Sequence, residues 1–479
     1  MLDRLTVARD LPVRADARYV LYWMIAARRT RWSFALDHAL DHARRLGLPL
    51  LVLEPLRIGY RWAAPRHHRF VVQGMADQRA AFEAAGVRYL PYVERTEGEG
   101  HGLLHALARD AAVVVTDHFP TFFLPRMVAA AARDLPARLE VVDGNGLLPL
   151  SAAPKAYPTA ALFRRHLHKT LPDHLDRWPV AEPLTSYDLG RATLPEGVLE
   201  RWRPADDLLD EPDRVRELVS GPGFVGARGG QRAAAEVLGT FLDRRLERYP
   251  DRNHPDDDAA SGLSPWLHFG HVSAHEVAKA VLDRESWDLT RLGRPTGSRA
   301  GWWGLSEAAE GFLDELVTWR ETGFVYAHHV PDHDRFGTLP DWARATLAKH
   351  AADPRPEVYD LATLEEARTG DPLWNAAQRE LRHTGRMHNY LRMLWGKKVL
   401  QWAPTPELAW EWLFELNNRW ALDGRDPNTA TGISWVFGRF DRPWGPERPI
   451  FGTVRYMTSD STMRKLHLKR WLTRWGDAA

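Results

Sequence analysis

The first part of the chain alternates short apolar runs with amphipathic stretches of helical period. The apolar runs occupy residues 19–25, 48–53, 87–93, 112–116 and 139–142. The amphipathic stretches lie near residues 31–46, 67–85, 101–109 and 121–134. Strands that alternate with helices in this way form a parallel sheet with helices on both faces. We therefore predict a doubly wound, Rossmann-like α/β domain over residues 1–178.

The pattern changes in the second part of the chain to long helices joined by short loops. A chain of 479 residues is too long for one ordinary core, so more than one domain is expected. Residues 179–222 are rich in Pro, Asp, Glu and Arg and have weak periodicity, which is typical of a linker. We predict an interdomain linker over 179–222 and an all-α domain over 223–479.

Composition restricts the classes of function. The chain contains no cysteine, which excludes disulfides, iron–sulfur clusters and thiol catalysis. No apolar stretch is long enough to cross a membrane, and the N-terminus has no apolar core of signal-peptide type. We therefore expect a cytoplasmic protein with no membrane partner. The first apolar run is not followed by G-x-G-x-x-G, so the Rossmann dinucleotide fingerprint is absent.

Charge is unevenly distributed, although the net charge of the chain is only +1. Between residues 439 and 475, nine Lys or Arg residues stand against three acidic residues, a net charge of +6. Such a segment is either a solvated face or a surface that follows nucleic-acid phosphates. His38 and His42 are four residues apart, and 328–333 is a second histidine cluster. Neither has the H-E-x-x-H arrangement or a cysteine partner, so we expect no bound metal.

Three tryptophans of the second part, Trp374, Trp395 and Trp402, stand among small and polar residues. Trp395 and Trp402 are seven residues apart. On a helix this is two turns, so both rings lie on one face, about 10 Å apart along the axis. Rings at such steps either fill a helical core or pass an electron to a buried redox cofactor. Their spacing alone does not choose between the two.

The sequence around these tryptophans resembles the flavin-binding domain of the photolyase/cryptochrome superfamily, specifically that of class II cyclobutane pyrimidine dimer photolyases. The segments that carry the resemblance are 260-ASGLSPWLHFGHVS-273, 314-DELVTWRETGFVY-326, 371-DPLWNAAQRELRHTGRMHNYLRMLWGKK-398, 421-ALDGRDPN-428 and 450-IFGTVRYM-457. The N-terminal 19-YVLYWM-24 also resembles the opening of that class. The resemblance extends over nearly the whole chain.

The resemblance implies an FAD enzyme that uses light to repair cyclobutane pyrimidine dimers in DNA. Reduced FAD passes an electron to a dimer flipped out of the duplex and recovers it when the ring splits. The resemblance further implies a monomer with an antenna chromophore of deazaflavin or folate type, although residues 26–34 depart from the family's sequence. Two alternatives stay open: a cryptochrome-type flavin photoreceptor without repair activity, and a (6-4) photoproduct photolyase.

Several residues match positions that hold the flavin in this family. Free N–H groups at a helix start and nearby hydroxyls suit a pyrophosphate, and the matching residues are Ser261, Gly262, Leu263 and Ser264. Arg392 and Asp423 resemble the pair beside the flavin ring, and Asn417 resembles the amide that faces its N5. The other implied flavin contacts are Tyr249, Arg320 and Arg425.

A second set of matches implies a lesion site. Glu315 and Trp319 lie four residues apart on one predicted helical face, where a carboxyl group can bond the imide edge of a thymine while the ring stacks on it. The other implied contacts to the dimer or its phosphates are Arg252, Met393, Trp435, Arg442 and Trp444. The turn 438-GRFDRPW-444 departs from the family, because it is one residue shorter and lacks a His.

The resemblance also orders the three tryptophans as a tryptophan triad for light-driven electron transfer. Trp395 would be nearest the flavin, Trp374 intermediate and Trp402 outermost.

Overall fold

The computed structural model describes residues 2–476. The strands are β1 (Leu5–Arg9), β2 (Tyr19–Trp23), β3 (Leu50–Leu56), β4 (Arg88–Val93), β5 (Ala111–Asp117) and β6 (Leu139–Val142). The first ten α-helices are α1 (Phe34–Leu46), α2 (Pro65–Ala84), α3 (Leu103–Ala108), α4 (Leu124–Asp134), α5 (Ala160–Thr170), α6 (Val198–Arg201), α7 (Asp206–Asp210), α8 (Gln231–Arg244), α9 (Ser264–Phe269) and α10 (Ala274–Arg284).

The later helices are α11 (Glu307–Leu313), α12 (Arg320–His329), α13 (Asp341–Lys349), α14 (Leu361–Glu365), α15 (Pro372–Thr384), α16 (Asn389–Trp402), α17 (Pro406–Trp420), α18 (Pro427–Val436), α19 (Ser459–Lys465) and α20 (Lys469–Trp475). A π-helix, Asp314–Trp319, joins α11 to α12. Short 3-10 helices span Leu2–Arg4, Leu150–Ala152, Leu171–His174, Pro183–Ser186, Pro212–Glu217, Leu246–Asp251, Pro255–Asp257, Leu289–Arg291 and Phe336–Thr338. None of the helices within residues 2–476 is both long and apolar enough to cross a bilayer.

The strands form one sheet in the order β1-β6-β5-β2-β3-β4. Strands β2 to β6 are parallel, and β1 pairs antiparallel with β6. Alternate residues of β2 face two different cores: Tyr19, Leu21 and Trp23 pack into one, and Val20 and Tyr22 into the other. This covering of both faces explains why β2 appears in the sequence as a continuous apolar run. The predicted parallel α/β fold is confirmed.

Strand β1 is not predicted by the sequence. Its residues, LTVAR, are half-buried or exposed, unlike those of β4 at the other edge of the sheet. No apolar run therefore marks it.

The chain forms two compact units, and their bounds differ from the predicted domain boundaries. The first unit comprises residues up to Pro154, Thr170–Gly239 and Leu263–Thr290; the second comprises Lys155–Lys169, Thr240–Gly262 and the chain from Arg291 onward. The predicted linker 179–222 belongs to the first unit. Its apolar residues explain this, because Val198 and Trp202 are buried in the core around Tyr19, and Leu208 is buried beside α2.

The second unit is helical, as predicted, and α15 to α18 contribute most of the residues of a core that also includes residues of α13, α14 and the chain beyond α18. Three of these helices begin with a side-chain cap followed by proline: Asp371 accepts from the Trp374 amide, Thr405 from Leu408, and Asp426 from Asn428. A capping oxygen satisfies an amide that has no intrahelical partner, and proline at the first position loses no hydrogen bond. These sequence signals set the starts of the helices that surround the site.

Candidate active site

The second unit contains a cavity of about 240 Å³ between α16, α17 and α18. Five of the residues predicted for the site line it, namely Arg392, Met393, Trp395, Asn417 and Trp435. Arg392 and Trp395 are three apart on α16, so helical periodicity brings both to one face. The predicted positions from three helices therefore meet at one cavity.

An ion pair and a buried amide are among the polar groups at this cavity. A terminal guanidinium nitrogen of Arg392 lies 3.2 Å from Oδ1 of Asp423, as the predicted pair requires. The side-chain amide of Asn417 is 4% exposed and donates to Oγ1 of Thr429 at 3.2 Å. The cavity wall thus offers a cation held by a carboxylate and an amide held by a hydroxyl.

This donor and acceptor set fits the ring system of a flavin. The ring has an imide edge and a basic nitrogen, which a guanidinium and an amide can both bond. The Trp435 indole Nε1 is also buried with no hydrogen-bond partner among residues 2–476. A buried donor left without a partner in a cavity wall indicates a place where a ligand supplies one.

A second cluster lies around the π-helix and shares Trp435 with the cavity. The Trp319 and Trp435 rings stack at 19°, with centroids 4.8 Å apart. Glu315 Oε1 accepts from a guanidinium nitrogen of Arg252 at 3.0 Å. Glu315 and Trp319, predicted to share one face of an α-helix, lie instead on a π-helix. Single π-helical turns are frequent at functional sites.

Burial and charge act in opposite directions on Glu315. Burial raises the pKa of this carboxyl group, whereas the charge and hydrogen bond of Arg252 lower that pKa. Tyr249 belongs to the same cluster, since the Arg252 guanidinium carbon lies 4.7 Å from its ring centroid. Burial first, and then the charge of Glu315, raises the pKa of Tyr249 above its ordinary value. Tyr249, predicted as a flavin-phosphate contact, therefore lies beside the lesion-site candidates Arg252 and Glu315.

The segment 261–264 leads into α9, but its serines do not cap the helix. Ser264 is the first helical residue, and the N-cap position is Leu263, which is fully buried. Gly262 has φ 75°, and a side-chain carbon there would meet the Arg386 guanidinium at 3.2 Å. Arg386 is a cation that the sequence analysis did not single out; its place beside Gly262 is set by the fold.

Of the predicted flavin contacts, Arg392 and Asn417 line the cavity, whereas Tyr249, residues 261–264, Arg320, Asp423 and Arg425 do not. The Arg320 guanidinium carbon lies 4.3 Å from the Phe324 ring centroid. Arg425 is buried, and its guanidinium donates to the carbonyl oxygens of Asn418 and Leu422 at 2.6 and 3.3 Å. Carbonyls at the end of a helix lack intrahelical partners, so this arginine closes the end of α17.

The shortened turn places Arg442 and Trp444 away from the cavity lining. The Arg442 guanidinium carbon lies 5.0 Å from the centroid of the Trp444 ring, which is 39% exposed. The Trp444 indole donates to Oδ1 of Asp441 at 3.0 Å. The two residues form a small surface cluster.

The three tryptophans are buried and follow one another in space. Trp395 lines the cavity, and the Trp374 ring lies parallel to it with centroids 6.3 Å apart. Trp402 meets Trp374 edge-on at 5.5 Å. The order Trp395, Trp374, Trp402 is therefore a feature of the structure.

The fold brings His38 and His42 together with Glu140, a partner that spacing did not reveal. Nε2 of His38 lies 2.7 Å, and Nε2 of His42 lies 2.8 Å, from Oε2 of this buried glutamate. Arg45 donates to Nδ1 of His42, so the proton of a neutral His42 is on Nε2, facing Glu140. A metal ion would need that nitrogen unprotonated. The hydrogen bonds therefore indicate a buried, hydrogen-bonded His–Glu–His cluster rather than a metal site.

Comparison with known proteins agrees with this geometry. A family model described as the FAD binding domain of DNA photolyase matches residues 312–442. Over 465 residues the chain is 35% identical to the deoxyribodipyrimidine photo-lyase of Methanothermobacter thermautotrophicus, which covers 95% of this chain and 94% of the relative. The chain belongs to the DNA photolyase family. It is thus an enzyme of the photo-lyase type, and FAD is its cofactor.

Other relatives extend the similarity. The deoxyribodipyrimidine photo-lyase of Arabidopsis thaliana is 32% identical over 466 residues, which are 95% of this chain and 88% of the plant protein. The fold is also seen in solved structures, among them a photolyase and a cryptochrome. A class III photolyase from Agrobacterium tumefaciens has a TM-score of 0.67 at 18% identity, with 98% of this chain and 88% of that chain covered. A cryptochrome from Synechocystis has a TM-score of 0.70 at 17% identity, covering 96% and 88%.

Proposed function

We propose that this enzyme is a class II photolyase that repairs cyclobutane pyrimidine dimers in DNA under light. The observation that carries the proposal is the position of Trp435. Its side chain lines the cavity that fits the flavin and stacks on Trp319, which lies on the same π-helix as Glu315. A flipped dimer that contacts this pair would therefore lie beside the cofactor, at the short distance that electron transfer requires.

Arg392, Asp423 and Asn417 would hold the flavin ring. Bound and reduced, FAD supplies the electron that opens the cyclobutane ring under light. The Arg392 charge near the ring favours an anionic flavin, and Asp423 keeps the guanidinium oriented. The phosphates would be held by Ser261, Gly262, Leu263 and Ser264, and the assignments of Tyr249, Arg320 and Arg425 to the cofactor stay predictions.

The lesion would contact the stacked tryptophans from outside. Rings whose centroids are 4.8 Å apart leave no gap between them for a base, so the dimer stacks on their accessible surfaces. Glu315 would bond the imide edge of one pyrimidine, while Arg252 neutralises the carboxylate or a neighbouring phosphate. Met393 would complete the apolar wall that excludes water.

Affinity for the duplex would come from residues 439–475, the basic C-terminal segment. Arg464, in the last turn of α19, and Lys469, the first residue of α20, are both exposed. Contacts of such residues to phosphates strengthen binding to any sequence and do not identify the lesion. Arg442 and Trp444, exposed on the shortened turn, would contact DNA beside the flipped dimer.

The defining experiment uses two oligonucleotides, one with a single cyclobutane dimer and one with a single (6-4) photoproduct. The FAD-loaded chain, chemically reduced, is illuminated with each, and restored pyrimidines are measured by chromatography against a dark control. Splitting of the cyclobutane dimer alone supports the proposal. Repair of the (6-4) product alone would identify the other photolyase class, and photoreduction of FAD without repair of either would indicate a photoreceptor.

A further inference from the structure

The Trp395 ring that lines the cavity is hydrogen-bonded through its indole nitrogen to a single buried side chain. Trp395 Nε1 donates to the amide oxygen of Gln378 at 3.0 Å. Gln378 lies on α15 and has no exposed surface. Its own amide nitrogen donates a hydrogen bond to the main-chain carbonyl oxygen of Glu365 at 3.3 Å. The glutamine is thus held at both ends, with its acceptor oxygen directed at the tryptophan.

The next ring has an acceptor of the same kind. Trp374 Nε1 donates to the main-chain carbonyl of Trp395 at 3.0 Å. Both acceptors are neutral amide oxygens, which are very weak bases. Charged groups lie close to the series: Arg392 lines the cavity with Trp395, and Oδ1 of Asp371 accepts from the main-chain amide of Trp374 at 3.1 Å. The Lys398 ammonium, paired with Asp371 at 3.1 Å, lies 5.4 Å from the Trp402 ring centroid. The indole nitrogens of Trp395 and Trp374 donate instead to the two amide oxygens.

The identity of these acceptors matters because an indole that has lost an electron becomes a far stronger acid at its N–H. If a base were bonded to that nitrogen, the proton would leave and the electron deficiency would stay on the ring as a neutral radical. An amide oxygen holds the N–H without removing the proton. The ring then remains a cation, which the next tryptophan can reduce.

We infer that Gln378 is a positioning residue of the electron relay, whose neutral amide keeps Trp395 protonated after Trp395 has given up an electron. The inference rests on the proposed function. One electron passes from Trp395 to the light-excited oxidised cofactor, one from Trp374 to Trp395, and one from Trp402 to Trp374. A thiol in solution reduces Trp402, and no proton leaves Trp395 or Trp374 on the way.

Three variants of the full FAD-loaded chain separate this role from packing. Gln378→Glu and Gln378→His place a base at the indole, whereas Gln378→Leu removes the acceptor without adding one. Flash photolysis of the oxidised protein distinguishes protonated from neutral tryptophan radicals by their absorption. Burial raises a carboxyl pKa and lowers that of histidine, so spectra are taken from about pH 6 to about pH 9.

We expect the Glu and His variants to form the neutral radical of Trp395, with the Glu effect increasing with pH. Their yield of photoreduction should fall about tenfold. Loss of the indole proton makes the Trp395 radical harder to reduce by Trp374, and a difference of one pKa unit already corresponds to a factor of about ten in that equilibrium. Gln378→Leu should keep the protonated radical, with a yield within about twofold of wild type. Retained FAD absorption checks that each variant is folded.

Two results would overturn the inference. One is an equal loss of photoreduction in the Leu variant, which would make Gln378 a packing residue. The other is a protonated radical with wild-type yield in both the Glu and His variants at every pH. The proposed function is tested separately, because each variant reduced chemically beforehand should split dimers at the wild-type yield. Failure of the reduced wild-type chain to split dimers would reject the proposed function and leave the radical spectra to decide the role of Gln378.

Discussion

The Trp319 and Trp435 rings stack on each other at 4.8 Å, and of the two only Trp435 also lines the cavity proposed for the flavin. Trp319 comes from the π-helix and Trp435 from the last turn of α18, so the contact joins two elements that are distant in sequence. The pair forms a common wall between the place proposed for the cofactor and the place proposed for the lesion.

Replacement of Trp435 should weaken lesion binding specifically. Base–aromatic stacking contributes about 1–3 kcal/mol, so Trp435→Ala should lower affinity for dimer-containing duplex by about tenfold or more. Trp435→Phe keeps an aromatic face and should recover most of that affinity. Binding titrations with damaged and undamaged duplex measure both. Equal loss on the two duplexes would show that Trp435 does not recognise the lesion.

Glu315 should contribute to repair without being needed to hold FAD. Glu315→Ala removes a hydrogen-bond partner at the proposed dimer, which costs about 1–3 kcal/mol of transition-state or binding energy. Glu315→Gln retains an acceptor and a donor and should lose less. The measurements are the FAD content per chain and the quantum yield of dimer splitting. Unchanged repair and dimer affinity in the Ala variant would remove Glu315 from the site.

The Arg252–Glu315 pair predicts a pH dependence of stability. Burial raises the pKa of Glu315 in the folded protein, so the folded state holds its proton more tightly than the unfolded state. The free energy of unfolding therefore falls as pH rises from the ordinary carboxyl pKa through the raised value. Arg252→Ala removes a group that lowers this pKa and should widen that pH range.

The comparison is made by denaturant unfolding of wild type and Arg252→Ala across this range. Glu315→Gln, introduced into wild type and into Arg252→Ala, removes the titrating carboxyl group at position 315 and serves as the control. A difference between wild type and Arg252→Ala that does not change with pH would contradict the assigned coupling.

The tryptophan triad should serve cofactor reduction and not dimer splitting. Trp402→Phe should slow photoreduction of oxidised FAD in the presence of a thiol, and Trp395→Phe should block it more completely, because Trp395 is the ring at the cavity. Phenylalanine keeps most of the ring, so a large loss of stability is not expected. Both variants, reduced beforehand, should repair at near wild-type yield. Normal photoreduction in both would make the three rings core packing.

Salt and charge reversal test the basic C-terminal segment. Arg464→Glu should weaken binding to damaged and undamaged duplex alike and reduce the salt dependence of affinity, with a change of about one in the slope. Arg464 is preferable to its neighbour Lys465 for this test. The Lys465 ammonium donates to the hydroxyl of Tyr390, a cavity residue, so its replacement would also disturb the cavity. A variant that lost only lesion preference would contradict the assignment.

The sequence by itself determined the α/β and helical composition of the chain, because hydrophobic period and helix caps are local signals. The run at Tyr19–Trp23 and the Asp371-Pro372 start of α15 are both read directly from neighbouring residues. The edge strand β1 and the true extent of the two units were not readable in this way. They depend on which distant segments cover an apolar residue, as the burial of Trp202 shows.

The site followed the same division. Family resemblance named Arg392, Asp423, Asn417 and the three tryptophans. The fold brought Arg392, Asn417 and Trp395 to one cavity, with Asp423 paired to Arg392 and the other two tryptophans in series behind Trp395. Only the tertiary structure decided that Gln378 is the acceptor for Trp395, that Trp435 stacks on Trp319, and that Glu140 joins His38 to His42. The hydrogen bonds join residues 17, 98 and 102 positions apart, and the two stacked rings are further apart still along the chain. A hydrogen bond or ring contact depends on distance in space, which sequence spacing does not encode beyond one or two helical turns.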